Sequence, residues 1–245
     1  MTGLLRRSLG TEAVGPDGSR SWVKVSALRG VASHPNRDAE LAAAAIRGVS
    51  KPALLAQRQW TQHDRRWLAL QMTLAPSPIV EAGLFAGAAA TRIDAAWIAS
   101  LKQALDTLRT LDTDRVCLGA DQISALIKDR FGPAAPHQVD EWHCAHGDVH
   151  WSNTTYPDFM LLDWERWGLA PRGYDAAHLL VSSCTRQELV QKIAAAFAAD
   201  LNTQSGRVAL LVVLARRFRD VDERVFDPAY KPHLEAMARR VLAAP

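Results

Sequence analysis

His146-Gly147-Asp148-Val149-His150-Trp151-Ser152-Asn153, followed by Leu161-Leu162-Asp163-Trp164-Glu165, is the stretch whose reading decides the fold. An Asp and an Asn five residues apart fit on one tight loop, with their oxygens facing a common small volume. A second Asp follows ten residues after the Asn, at the end of the apolar run Phe159-Met160-Leu161-Leu162. Tyr156-Pro157-Asp158 between them reads as a turn. The expected local shape is loop, short strand, turn, strand, which returns Asp163 beside Asp148 and Asn153. Two carboxylates and an amide oxygen are hard ligands that suit Mg²⁺, and Asn153 and Asp163 are the candidate metal holders.

An Asp with an Asn five positions on, then a metal-holding Asp after a hairpin, is the layout of kinase-type phosphoryl transfer. His146-Gly147-Asp148, Asn153, Asp163-Trp164-Glu165 and Gly173-Tyr174-Asp175-Ala176-Ala177 resemble the aminoglycoside phosphotransferase and choline kinase group. The strong part of the resemblance spans roughly residues 143–181. It implies a two-lobed, protein-kinase-like α+β fold, with a small β-rich lobe at 1–75 and a larger helical lobe at 76–245. It also implies ATP or GTP and Mg²⁺ as cofactors. Asp148 would then be the catalytic group that accepts or orients the proton of an attacking hydroxyl. Asp175 would support the catalytic loop from the following helix, and Glu165 would lie close to the metal. His146 is expected to brace the loop rather than carry protons.

The N-terminal third fits a small lobe. Gly15-Pro16-Asp17-Gly18 is a turn signal, and Ser21-Trp22-Val23-Lys24-Val25 alternates as a half-buried strand does. Lys24 falls where a kinase-like fold places its phosphate-touching lysine. Pro35-Asn36 opens an expected helix over 37–47, ended by Gly48, with Glu40 as the partner that would orient Lys24 and Asp38 as its rival. Runs at 54–60 and 67–74 read as two more strands joined by the polar turn Gln62-His63-Asp64-Arg65-Arg66, and Ala75-Pro76-Ser77-Pro78 reads as a hinge. Helices are expected at 93–111, 121–131, 173–183, 185–200, 203–219 and 229–242. Thr185-Arg186-Gln187-Glu188 resembles a capping box.

The resemblance fails at one end. A kinase-like small lobe begins with a hairpin whose glycine-rich tip cradles phosphate. Few residues precede the first strand here, and Gly3 and Gly10 do not make such a loop. The lobe is therefore expected to be N-terminally abbreviated, or the chain to start upstream, or nucleotide binding to be altered. The last option is a non-catalytic, kinase-like nucleotide or ligand binder. Against it, Asp148, Asn153 and Asp163 are all present.

Composition bounds the rest. The 245 residues are 48% hydrophobic with a formal net charge of +3, which argues for neither nucleic acid nor membrane as partner. Cys117, Cys144 and Cys184 read as reduced thiols in a cytoplasmic protein. A zinc site at His143, Cys144, His146 and His150 is a rival reading of the motif, but adjacent His143 and Cys144 would point apart if extended. Trp142, Trp151, Trp164 and Trp167 read as packing around the loop, with a stacking surface for a substrate ring as the alternative. From residue 171 to 245 there are 11 Lys or Arg against 8 Asp or Glu, a balance that does not favour a polycationic acceptor. Asp220, Asp222, Glu223 and Asp227 read as a solvated helix end. The acceptor is expected to be a small-molecule hydroxyl: an aminoglycoside or other antibiotic, an amino alcohol or a sugar. Oligomeric state is left open.

Overall fold

A computed structural model describes residues 8–28 and 38–243. Four strands form one antiparallel sheet: β1 (Ser8–Val14), β2 (Arg20–Leu28), β3 (Leu54–Gln62) and β4 (Arg65–Thr73), in the order β1-β2-β4-β3. Turn chemistry fixes both hairpins. Gly18 takes a left-handed φ of 79° and its N–H reaches the Gly15 carbonyl at 3.0 Å. His63 and Asp64 have φ of 49° and 58°, the pair of positive values that a two-residue hairpin turn needs. That turn is tighter than the polar segment at 62–66 suggested, because both strands continue into it. Lys24 pairs with Leu70 across β2 and β4, and both are buried. Gly10 is a strand residue packed under the Trp22 ring, not part of a phosphate loop, and Gly3 lies outside the described residues.

The first helix, α1 (Ala39–Ala43), is shorter than expected. Its proposed opening at Pro35-Asn36 lies outside the described residues. After Ala43 the chain continues in single turns to Ile46, and Gly48, with φ of 76°, ends them.

Residues 76–80 are neither helix nor strand, but they are tied down. The Val80 N–H donates to the Thr154 carbonyl at 2.9 Å, the Tyr156 N–H to Pro78 at 3.1 Å, and Ile79 bridges Thr155. The segment between the lobes is thus paired with the chain just after Asn153.

The larger lobe contains α2 (Ala95–Leu108), α3 (Ala120–Phe131), the antiparallel pair β5 (Trp142–Ala145) and β6 (Gly168–Pro171), α4 (Tyr174–Ser182), α5 (Gln187–Ala196), α6 (Ala198–Leu201), α7 (Gln204–Asp222) and α8 (Lys231–Ala243). Asp94 caps α2 by accepting the Trp97 N–H at 2.8 Å. Every residue of α4 is buried, and so is the run Val208–Ala215 of α7, which makes these two helices the centre of the lobe. The expected helix at 185–200 is two helices broken at Phe197, and the capping box does not form. Arg186 occupies the N-cap without a side-chain bond, and Thr185 instead donates to the Ala86 carbonyl at 3.4 Å. Among the described residues, no helix is long and apolar enough to cross a membrane.

Helix α7 begins against α6 at Gly206, where a Cβ would run into the Asp200 carbonyl and come 2.8 Å from Leu201 Cα. Both obstacles are backbone and cannot rotate away. Gly206→Ala is expected to destabilise the fold by about 3 kcal/mol. A chemical-denaturation midpoint unchanged in this variant would refute the packing account.

Candidate active site

The loop from His146 to Asn153 leaves β5 and is held from below. Asp175, in the first turn of α4, accepts the His146 N–H at 2.7 Å and the Gly147 N–H at 2.8 Å. Burial pushes the Asp175 carboxyl up to about 6, and those two N–H donors oppose the shift. Gly147 has φ of 85°, and a Cβ there would lie 2.5 Å from Cys117 Sγ and 2.6 Å from the Arg166 carbonyl oxygen. Only glycine fits, because the chain passes in a left-handed turn between two other segments. His146 is fully buried, with Nε2 3.0 Å from the Leu162 carbonyl and its ring edge-on to Trp164. Burial pulls its pKa down to about 4, so the ring is neutral and ties the loop to the segment that carries Asp163.

That segment returns as expected, although through isolated bridges rather than strands. Thr154 pairs with Leu161, and the Leu162 N–H donates to the Asn153 carbonyl at 2.9 Å. Asp158 in the turn between them accepts from Ser77 of the inter-lobe segment at 2.8 Å. Asp163 then sits in a left-handed conformation, φ 63°, with its side chain 42% exposed.

Lys24 reaches across from the sheet. Its Nζ lies 2.8 Å from Glu40, 2.7 Å from Asp163 and 2.6 Å from Glu165. Burial works against its charge, but the three carboxylates outweigh it and hold the ammonium well above its ordinary value. Burial drives Glu40 up to about 7; Lys24 opposes this, and the Asp163 and Glu165 charges add to it. One ammonium faces three carboxylates, an excess of negative charge. The three acidic groups offer oxygens within 4.8 Å of one another, a donor set that fits a hard divalent cation. Asp38, the other candidate partner for Lys24, pairs with Arg115 at 2.9 Å.

Asn153 is buried with its amide turned toward its own loop. Its Nδ2 donates to the Asp148 carbonyl at 3.0 Å and lies 3.1 Å from His150 Nε2. Asp148 itself is 23% exposed at the side chain and faces basic groups: His150 Nε2 and Arg166 Nε at 3.8 Å each, His178 Nδ1 at 3.9 Å. Burial raises its pKa, but His150, His178 and Arg166 together take it well below the usual carboxylate range. Burial also takes His178 well below its ordinary value.

Arg166 and His178 carry no signal in the sequence alone. His178 comes from α4, and Arg166 lies one residue past the Asp163-Trp164-Glu165 motif. His143, Cys144, His146 and His150 do not converge: among the described residues, the His, Cys, Asp and Glu donors that do are Glu40, Asp163 and Glu165. Trp151 stacks on Trp97 at 5.9 Å, the Trp164 N–H donates to Leu161, and the Trp167 N–H donates to Ala39, so these three rings are packing. Asp220 and Asp222 are ion-paired, with Arg217 at 2.7 Å and with Arg130 and Lys231 at 2.9 and 2.8 Å, rather than simply solvated.

No family model matches the sequence, and no curated protein matches it. Solved structures do. Amicoumacin kinase hAmiN, in complex with AMP-PNP, Ca²⁺ and Ami, superposes with a TM-score of 0.61 at 13% identity, over 96% of this chain and 85% of that one. Aminoglycoside phosphotransferase APH(4)-Ia superposes with a TM-score of 0.65 at 12% identity, over 98% and 91%. A thermostable mutant of APH(4)-Ia, in a ternary complex with AMP-PNP and hygromycin B, gives 0.66 at 12% identity over 98% and 92%. At such identities the likeness speaks for the fold: this chain has the two-lobed, kinase-like fold of the aminoglycoside phosphotransferases.

Proposed function

We propose that the chain is a phosphotransferase that moves the γ-phosphate of ATP or GTP to a hydroxyl of a small molecule, with Mg²⁺. One observation carries the reading. A buried lysine of the small lobe meets Asp163 and Glu165 of the large lobe, while Asp148, on the loop before them, stays ionised without a short hydrogen bond. The neighbours solved with AMP-PNP and with Ami or hygromycin B support a nucleotide and a small molecule as partners.

In this reading the small lobe, ending near residue 75, holds the nucleotide. Lys24 neutralises phosphate oxygens, and Glu40 keeps its ammonium pointed at the site. Asp163 and the Oδ1 of Asn153 would hold the metal, with Glu165 beside them. Bound there, Mg²⁺ would supply charge neutralisation at the phosphates. Asp148 orients the acceptor hydroxyl and takes its proton as the new O–P bond forms. Asp175 and His146 keep the loop in register. They act on the backbone of the loop, not on substrate.

The test is transfer of labelled γ-phosphate from ATP and GTP to a panel of small hydroxyl compounds with Mg²⁺ present, alongside Asp148→Asn. Labelled product that is lost in the variant is the expected result. No product, together with no protection against heat by nucleotide, would sink the proposal. Protection without product on any acceptor would favour a non-catalytic binder.

A further inference from the structure

The two sides of Asp148 differ in charge. Toward the small lobe stand Glu40, Asp163 and Glu165 around Lys24. Toward the helical lobe stand arginines. Arg166 has Nε 3.8 Å from the Asp148 carboxylate and a side chain 38% exposed. Arg216, half-buried on α7, donates from Nη1 to the Tyr174 hydroxyl at 2.6 Å, and among the described residues no carboxylate forms an ion pair with it. Arg217 is buried and pairs with Asp220 at 2.7 Å, but its Nε has no partner, and its Nη2 lies 3.5 Å from the ring of His178, whose own Nε2 has none either. The remaining acid of this region, Asp175, spends both oxygens on the backbone of the loop.

A charged arginine is usually met by a carboxylate or phosphate. Asp148 is the carboxylate beside Arg166 and the one whose charge acts on Arg216, and Asp148 is needed for the hydroxyl. Buried donors on His178 and Arg217 stand unmatched behind them, and a buried polar group without a partner calls for explanation. In the function proposed above the nucleotide's phosphates are assigned to Lys24 and the metal at Asp163, which leaves these arginines to the acceptor.

Resting on the function proposed above, we infer that the acceptor carries an anionic oxygen group, a carboxylate or a phosphate, which Arg166 and Arg216 bind while its hydroxyl meets Asp148. The group fixes the acceptor so that one hydroxyl faces the γ-phosphate, and the same arginines repel amines. The site therefore discriminates against a polycationic aminoglycoside.

Titration calorimetry tests this without turnover. Inorganic phosphate, gluconate and spermidine are titrated into protein saturated with Mg²⁺ and AMP-PNP, so that the γ-phosphate position is filled. At least one anion is expected to bind, about tenfold more weakly in Arg166→Ala, with spermidine not binding. Whichever of phosphate and gluconate binds more tightly names the group. The inference is overturned if neither anion binds, if spermidine binds more tightly than both, or if Arg166→Ala changes nothing. It is also overturned if phosphate binds only when AMP-PNP is absent, since the arginines would then serve the transferred phosphoryl group. If AMP-PNP itself fails to bind, the phosphotransferase reading falls alone. Phosphate titrated into the free protein then decides the anion site, by its loss in Arg166→Ala and its retention in Lys24→Ala.

Discussion

Asp148→Asn is expected to lower turnover by about 10³-fold, within the range for removing a positioned general base. The amide keeps the size of the carboxylate, and its oxygen can still accept a hydrogen bond, but it cannot take the proton. The fold should survive, because no short hydrogen bond depends on the carboxylate: its nearest basic atoms are at 3.8 and 3.9 Å. The loop is set instead by the bonds from His146 and Gly147 to Asp175. Rates measured under saturating nucleotide, with the melting temperature followed in parallel, separate the two effects. Wild-type turnover in the variant would remove Asp148 from the chemistry.

Asp163→Ala is the second large effect. Asp163 shares the Lys24 ammonium with Glu40 and Glu165 and presents its carboxylate where the metal would sit. Removing it should weaken Mg²⁺-dependent nucleotide binding by at least about 2 kcal/mol, the low end for truncating one partner of a hydrogen-bonded charge pair. That is about 30-fold in Kd. The left-handed backbone at Asp163 costs alanine no less than aspartate, so some loss of stability accompanies the loss of affinity. Nucleotide titrations with and without Mg²⁺ distinguish them. A purely structural role would weaken binding equally in both, whereas loss of a metal ligand removes the dependence on Mg²⁺.

What was legible in the sequence was what lies close in the chain. Asp148, Asn153 and Asp163 span sixteen positions, and the apolar run and turn between them were enough to bring Asp163 back beside the loop. The hairpins were legible because Gly18 and the His63-Asp64 pair enforce their turns. Lys24 and Glu40, sixteen apart, could be paired only by resemblance, and geometry alone chose Glu40 over Asp38. The basic side of Asp148 was not legible. Arg166, His178, Arg216 and Arg217 come from three segments, and nothing local marks an arginine on the apolar helix α7 as facing a loop seventy residues earlier. Thr185 failed as a cap for a similar reason: a tertiary partner, the Ala86 carbonyl, took its hydroxyl.

The stitching of 76–80 onto 154–156 moors the connector between the lobes to the chain just after Asn153. The paired residues lie one to three positions after Asn153, so a change of register there is passed directly to the end of the loop. Engineering should respect that mooring. One extra residue within 76–80 would slip the pairing and reverse which side chains face Thr155 and Asp158. A longer tether belongs downstream, at Gly83, where the chain has open space around it.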